Sequence, residues 1–125
     1  MGSSSRDRRV AAEVTETLAG LLGVSLTDIE LAADDSSGAD VVVVAAGRSF
    51  VVRFTQSTGA APVAAALKKV QESVRRLRRR VVPLLAVPFM GEVGRRLCAE
   101  ADIGWIDLSG NAHVVAPGIR VIVDG

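Results

Sequence analysis

One amphipathic helix set between two short strand-like runs constrains this chain more than any other feature. Val63, Leu67, Val70, Val74 and Leu77 recur at helical spacing and fall on a stripe about 80° wide at 100° per residue. Lys68, Arg75 and Arg79 lie opposite that stripe, flanked by Lys69, Arg76 and Arg80. Before the helix, Ser49–Gln56 reads as a strand. After it, Val81–Val87 is short, apolar and rich in valine, which is the signature of a buried strand. That run is interrupted by Pro83 and ended by Pro88. A strand, a helix and a second strand in succession form a right-handed crossover that packs the helix on the sheet. The expected fold is therefore α/β, a mixed central β-sheet flanked by helices. Pro62 is expected as the first helical residue, where its missing N–H is harmless.

The rest of the chain adds elements to this unit. Val10, Val14, Leu18 and Leu21 or Leu22 predict a helix over about residues 7–22, with Gly23 as its stop. Asp40–Val44 predicts a buried strand, central in the sheet beside Val51–Phe54 and residues 81–87, and forming a hairpin with Ser49–Gln56. A short helix over Met90–Ala101 should turn Met90, Val93, Leu97 and Ala101 inward. Strands at Trp105–Leu108, Ala112–Val115 and Ile119–Val123 follow, the last two joined by Pro117-Gly118 in the order of a type II turn. Residues 1–6 read as a flexible start or a cloning remnant. Residues 7–125 read as a single domain cut from a longer protein, because 125 residues with 49% hydrophobic content suit one core. No apolar run reaches the roughly 18 residues of a membrane span, so no membrane association is expected. The single cysteine excludes an internal disulfide, and the expected compartment is cytoplasmic.

Net charge is +1, but it is unevenly spread. Residues 1–62 carry five basic and eight acidic side chains, and residues 63–125 carry ten and six. Seven of those ten cations fall within Lys68–Arg80, against Glu72 alone. Surfaces usually intersperse both signs, so this concentration points to a phosphate-bearing partner. Arginine outnumbers lysine there, which suits bidentate phosphate contact. Aromatic residues make up 3% of the chain and tyrosine is absent, so a base-stacking platform is not expected.

Other chemistry is sparse. Asp107, Ser109 and His113 tempt a hydrolase reading, but no strand-to-helix elbow presents the serine, and Asp107, Ser109 and Asn111 read as side chains that bond their own turn. Cys98 reads as a small core residue. Gly91, Gly94 and Gly104 make no dinucleotide fingerprint, and their spacing predicts close packing of the short helix on the sheet. No metal cluster and no cofactor are expected.

The element order αβββαβ, with Asp40 opening a strand that pairs with the next, resembles the restriction-endonuclease-like (PD-(D/E)XK) superfamily over roughly residues 7–107. That family's pattern is an Asp at one strand start and (Asp/Glu)-x-Lys in the following strand. Asp40 matches the first position, but Arg53 and Thr55 stand where the acid and the lysine belong. The resemblance therefore implies a restriction-endonuclease-like αβββαβ core that is catalytically degenerate, since two carboxylates are needed to hold Mg²⁺. The catalytic candidates it leaves are Asp40 and Glu13, a helix-borne acid. An active Mg²⁺-dependent nuclease would need relocated groups, with Lys68, Lys69 or Glu72 as the sources. The stretch GRRLCAEADIGWIDLSGNAHVVAPGIRV resembles bacterial proteins in which such a domain precedes a winged-helix domain. This implies nucleic-acid association or assembly within a bacterial regulator of transcription or a defence protein. The candidate nucleic-acid residues are Lys68, Lys69, Arg75, Arg76, Arg79 and Arg80. A homodimer through an exposed sheet edge or the 81–87 region is the remaining alternative.

Overall fold

The computed structural model describes residues 5–23, 30–32, 41–45, 48–77 and 80–124. In chain order these form α1 (Ser5–Leu22), β1 (Glu30–Ala32), β2 (Val41–Ala45), β3 (Arg48–Phe54), α2 (Ala60–Leu77), β4 (Val82–Val87), α3 (Glu92–Ala101), β5 (Gly104–Asp107), β6 (Ala112–Ala116) and β7 (Ile119–Val123). The fold is α/β, with one mixed sheet flanked by helices. The strands lie in sequence order, β1 to β7. The three central strands, β3, β4 and β5, are parallel, and the pairs outside them are antiparallel.

Strand alternation sorts the core into two layers. Phe50, Val52, Leu84, Ala86, Ile106, Ala112 and Val114 face one side and bury Val14 and Leu18 of α1. Val51, Leu85, Val87 and Trp105 face the other, where they meet Val63, Ala66, Leu67 and Val70 of α2 and Cys98 of α3. Both crossover helices therefore share one face, as crossovers of the same hand between successive neighbouring strands require.

Several expectations shift. The valine strand β2 is not central: β1 and β3 are its neighbours, and β3 separates it from β4. Strand length and composition do not tell a central strand from its neighbour. Pro83 sits within β4 opposite Val51, but β5 pairs with β4 only from Leu84 onward. The proline thus falls where the strand has a neighbour on one side, and its missing donor costs no ladder bond there. Pro62 is the third residue of α2, since Gly59 C=O accepts the Val63 N–H at 3.1 Å. The first four N–H groups of a helix have no internal partner, so proline is tolerated throughout that turn. In α3, Val93 is exposed, while Gly94 and Cys98 are the buried residues. The Met90 side chain lies against Gly94, where a Cβ would collide with its sulfur, and this rotates the helix's inner line away from Val93.

The expected stops hold. Gly23 ends α1 at φ +71° and Gly118 takes φ +80° in the turn between β6 and β7. Both values favour glycine. Asp102 ends α3 in the left-handed region, and the backbone N–H groups of Asp102 and Ile103 donate to Ala99 and Cys98 carbonyls at 3.2 and 3.0 Å.

Candidate nucleic-acid interface

Helix α2 sorts its side chains by the stripe in its sequence. Val63, Ala66, Leu67, Val70 and Ser73 are buried, and Val74 is half-buried. The buried Ser73 hydroxyl donates to the Lys69 carbonyl at 3.1 Å, one turn back. Lys68, Lys69, Arg75 and Arg76 are all exposed on the opposite side. Glu72, half-buried, lies three or four residues from each of them, so it sits amid four cations on the helix surface. Arg75 and Arg76 also occupy the last turn, where positive charge complements the helix dipole. Arg79 lies outside the described residues. Arg80 is exposed but not helical, since the described helix stops at Leu77. Among the described residues the cationic group is therefore a helix face of four residues plus one cation just before β4. It is not a single helical stripe running from Arg75 to Arg80.

The parallel crossover decides where these cations stand relative to the nuclease-like positions. Arg53 and Thr55 lie at the C-terminal end of β3. Thr55 is held there, its N–H donating to the Ala86 carbonyl at 3.0 Å and its hydroxyl to the Ser57 carbonyl at 3.2 Å. Because β3 and β4 are parallel, α2 must run back to the start of β4, about 27 Å over 18 residues. Arg75, Arg76 and Arg80 consequently lie towards the opposite end of the sheet from Arg53 and Thr55. Lys68 and Lys69 face away from the sheet, so the structure does not bring them to β3's C-terminal end. Glu13 is exposed on α1, against the other face of the sheet. Asp40 lies outside the described residues; the residue after it, Val41, pairs with Val52.

The remaining polar candidates are structural. Asp107 is fully buried at the end of β5. Its carboxylate accepts from the N–H groups of Met90 (3.2 Å), Ser109 (3.0 Å) and Asn111 (2.9 Å) and from Asn111 Nδ2 (3.1 Å). The Ser109 hydroxyl donates to the Pro88 carbonyl at 3.4 Å. His113 is exposed on β6 opposite Trp105, and no bond joins it to either residue. These contacts tie the β5–β6 turn to the end of β4 and leave no acid–base pair. Trp105 is buried with the Arg95 guanidinium 5.0 Å above its ring, so that ring offers no free stacking face. Burial pushes the Cys98 thiol up to about 11, which suits a core residue and not a nucleophile. Sequence reasoning missed Phe89, 61% exposed just beyond β4, because an aromatic beside a strand end carries no pattern of its own. Among the described residues no helix is long and apolar enough to cross a membrane. Comparison with family models, with curated proteins and with solved structures finds no match.

Proposed function

We propose that this chain is a nuclease-like domain without a working catalytic set, which associates with nucleic acid through phosphate contacts of α2. The observation that carries the reading is the joint exposure of Lys68, Lys69, Arg75 and Arg76 on one helix face, with Arg80 beyond it. Clustered cations displace condensed counterions when they meet a phosphate backbone, and they do so without reading bases. The topology supports the nuclease-like part: a β1–β2–β3 meander, a helical crossover and a parallel β4 is the order the family resemblance implies. The donor set supports degeneracy. Arg53 is a cation where a metal's second carboxylate belongs, and Glu13, Lys68 and Lys69 sit on surfaces that face elsewhere. The described residues therefore do not supply the second carboxylate of a two-carboxylate Mg²⁺ site. On this reading the domain serves a bacterial regulator or defence protein as a binding or assembly module.

The test is fluorescence anisotropy with labelled duplexes of unrelated sequence across a salt series. Binding should be weak, alike for every duplex, and lost with a log–log slope of about −0.9 per phosphate contacted. Replacing Lys68, Lys69, Arg75 and Arg76 with alanine should flatten that slope by up to about four units. No binding at low salt, or binding that the quadruple variant retains, removes α2 as the surface. Incubation with Mg²⁺ or Mn²⁺ should leave the duplex intact. Cleavage abolished by Asp40→Ala would establish an active nuclease instead.

A further inference from the structure

Strand β7 ends the sheet, and among the described residues it has a neighbour on one side only. Ala116 and Ile119 flank the two-residue turn Pro117-Gly118. Such a turn is closed by a hydrogen-bonded pair, and antiparallel ladders alternate bonded with non-bonded pairs. Ile119, Val121 and Val123 therefore direct their backbone groups to β6. Arg120, Ile122 and Asp124 direct theirs outward. Nothing on the strand guards this edge: Ile119–Val123 holds no proline or glycine and a single charge. Ile122 and Val123 are exposed, as is Val115 on β6 beside Arg120.

The order of side chains identifies the occupant. We propose that the chain binds a second copy of itself, β7 against β7 in antiparallel, about a twofold axis through Ile122. In that register Arg120 stands opposite Asp124 of the second copy, Ile122 opposite Ile122, and Asp124 opposite Arg120. All three pairs lie on the face that carries α3. On the other face Val121 stands opposite Val123 and the reverse. Opposite charges and apolar pairs are the combinations that stabilise directly facing positions. The backbone groups that face outward, those of 120, 122 and 124, are the ones this register pairs. Moving the axis to Val121 would set Arg120 against Ile122 and remove the charge match. Asp124 is already positioned: its Oδ1 accepts from Arg95 Nη2 at 3.1 Å, and Arg95 is itself stacked over Trp105. A strand end held in place lowers the ordering cost of association.

Sedimentation of the 125-residue chain without nucleic acid tests this separately from the role of α2. The mass should rise with concentration from 13.0 kDa towards twice that value. Arg120→Asp, an exposed change whose folding is checked by its unfolding midpoint, should weaken association about tenfold at low salt. Facing residues of a hydrogen-bonded pair lie about 5.5 Å apart at Cα, within disulfide range, so oxidised Ile122→Cys should trap a covalent dimer. Val121→Cys should not, and Cys98 is buried and does not compete. A chain that stays monomeric up to roughly 1 mM overturns the proposal. So does cross-linking through Val121→Cys in place of Ile122→Cys, or a dimer indifferent to Arg120→Asp.

Discussion

Gly104 opens β5 where no side chain fits. A Cβ there would lie 2.7 Å from the His113 carbonyl oxygen and 3.0 Å from Leu84 Cδ2. The first of these is backbone of the neighbouring strand and cannot step aside. Gly104→Ala should therefore destabilise the chain by about 1–3 kcal/mol, read as a lower urea midpoint at unchanged m-value. Cys98 makes a pH-dependent contribution. Burial raises its thiol from an ordinary 9.0 to about 11, so the folded chain holds a proton that the unfolded chain releases. The stability from the neutral thiol is complete below pH 9 and falls away as pH rises towards 11, by about 2 kcal/mol. Urea titrations of wild type and Cys98→Ala should diverge across that window and run parallel below it. Of the residue roles, those of Asp107, Asn111 and Cys98 were legible from local spacing, whereas the Ser109 hydroxyl, expected to bond its own turn, donates to the Pro88 carbonyl instead. The expected close packing of the short helix on the sheet at Gly91, Gly94 and Gly104 does not occur: a Cβ at Gly91 would meet nothing, one at Gly94 would meet Met90, and one at Gly104 would meet β4 and β6, whose residues lie nine or more positions away, beyond the reach of local spacing.

At the scale of the element, α2 and α3 differ in how well their inner faces follow from periodicity. The α2 stripe packs on the sheet, and three of the residues the spacing named, Val63, Leu67 and Val70, are buried there, joined by Ala66 and Ser73, while Val74 is half-buried. In α3 the Met90 side chain precedes the helix and packs under Gly94, so Val93 turns to solvent. A ten-residue helix leaves few apolar positions to resist such a rotation. The cationic face of α2 has one internal brake. Glu72 stands within a turn of Lys68, Lys69, Arg75 and Arg76, and it competes with phosphate for them. Glu72→Gln should tighten duplex binding roughly threefold at low salt, and the gain should vanish as salt screens the site. Anisotropy titrations at two ionic strengths measure both effects.

At the scale of the molecule, the sheet is anchored at its middle. Strands β3, β4 and β5 are covered on both faces, by α1 on one side and by α2 and α3 on the other. Strands β1 and β7 are at the edges, and β7 carries mostly half-buried or exposed side chains. Amide hydrogen exchange should be slowest in β3, β4 and β5 and fastest in β1 and β7, since opening an edge exposes the least apolar surface. Equal protection of β7 and β4 in the isolated monomer would contradict this layering.

Readable from the residues alone were the α/β class, the crossover through α2, the turn chemistry at Gly23, Asp107–Asn111 and Pro117-Gly118, and the charge segregation. These follow from periodicity, β-branching and backbone preferences, which act over a few residues. That β2 lies off-centre, that Pro83 falls beside a missing neighbour and that α3 turns Val93 outward follow from the three-dimensional arrangement. The same arrangement separated the arginines of α2 from Arg53 and Thr55 by the length of a helix and left β7, among the described residues, as an unguarded edge. Each of these depends on which strand lies beside which, a relation between segments far apart in the chain that no local pattern encodes.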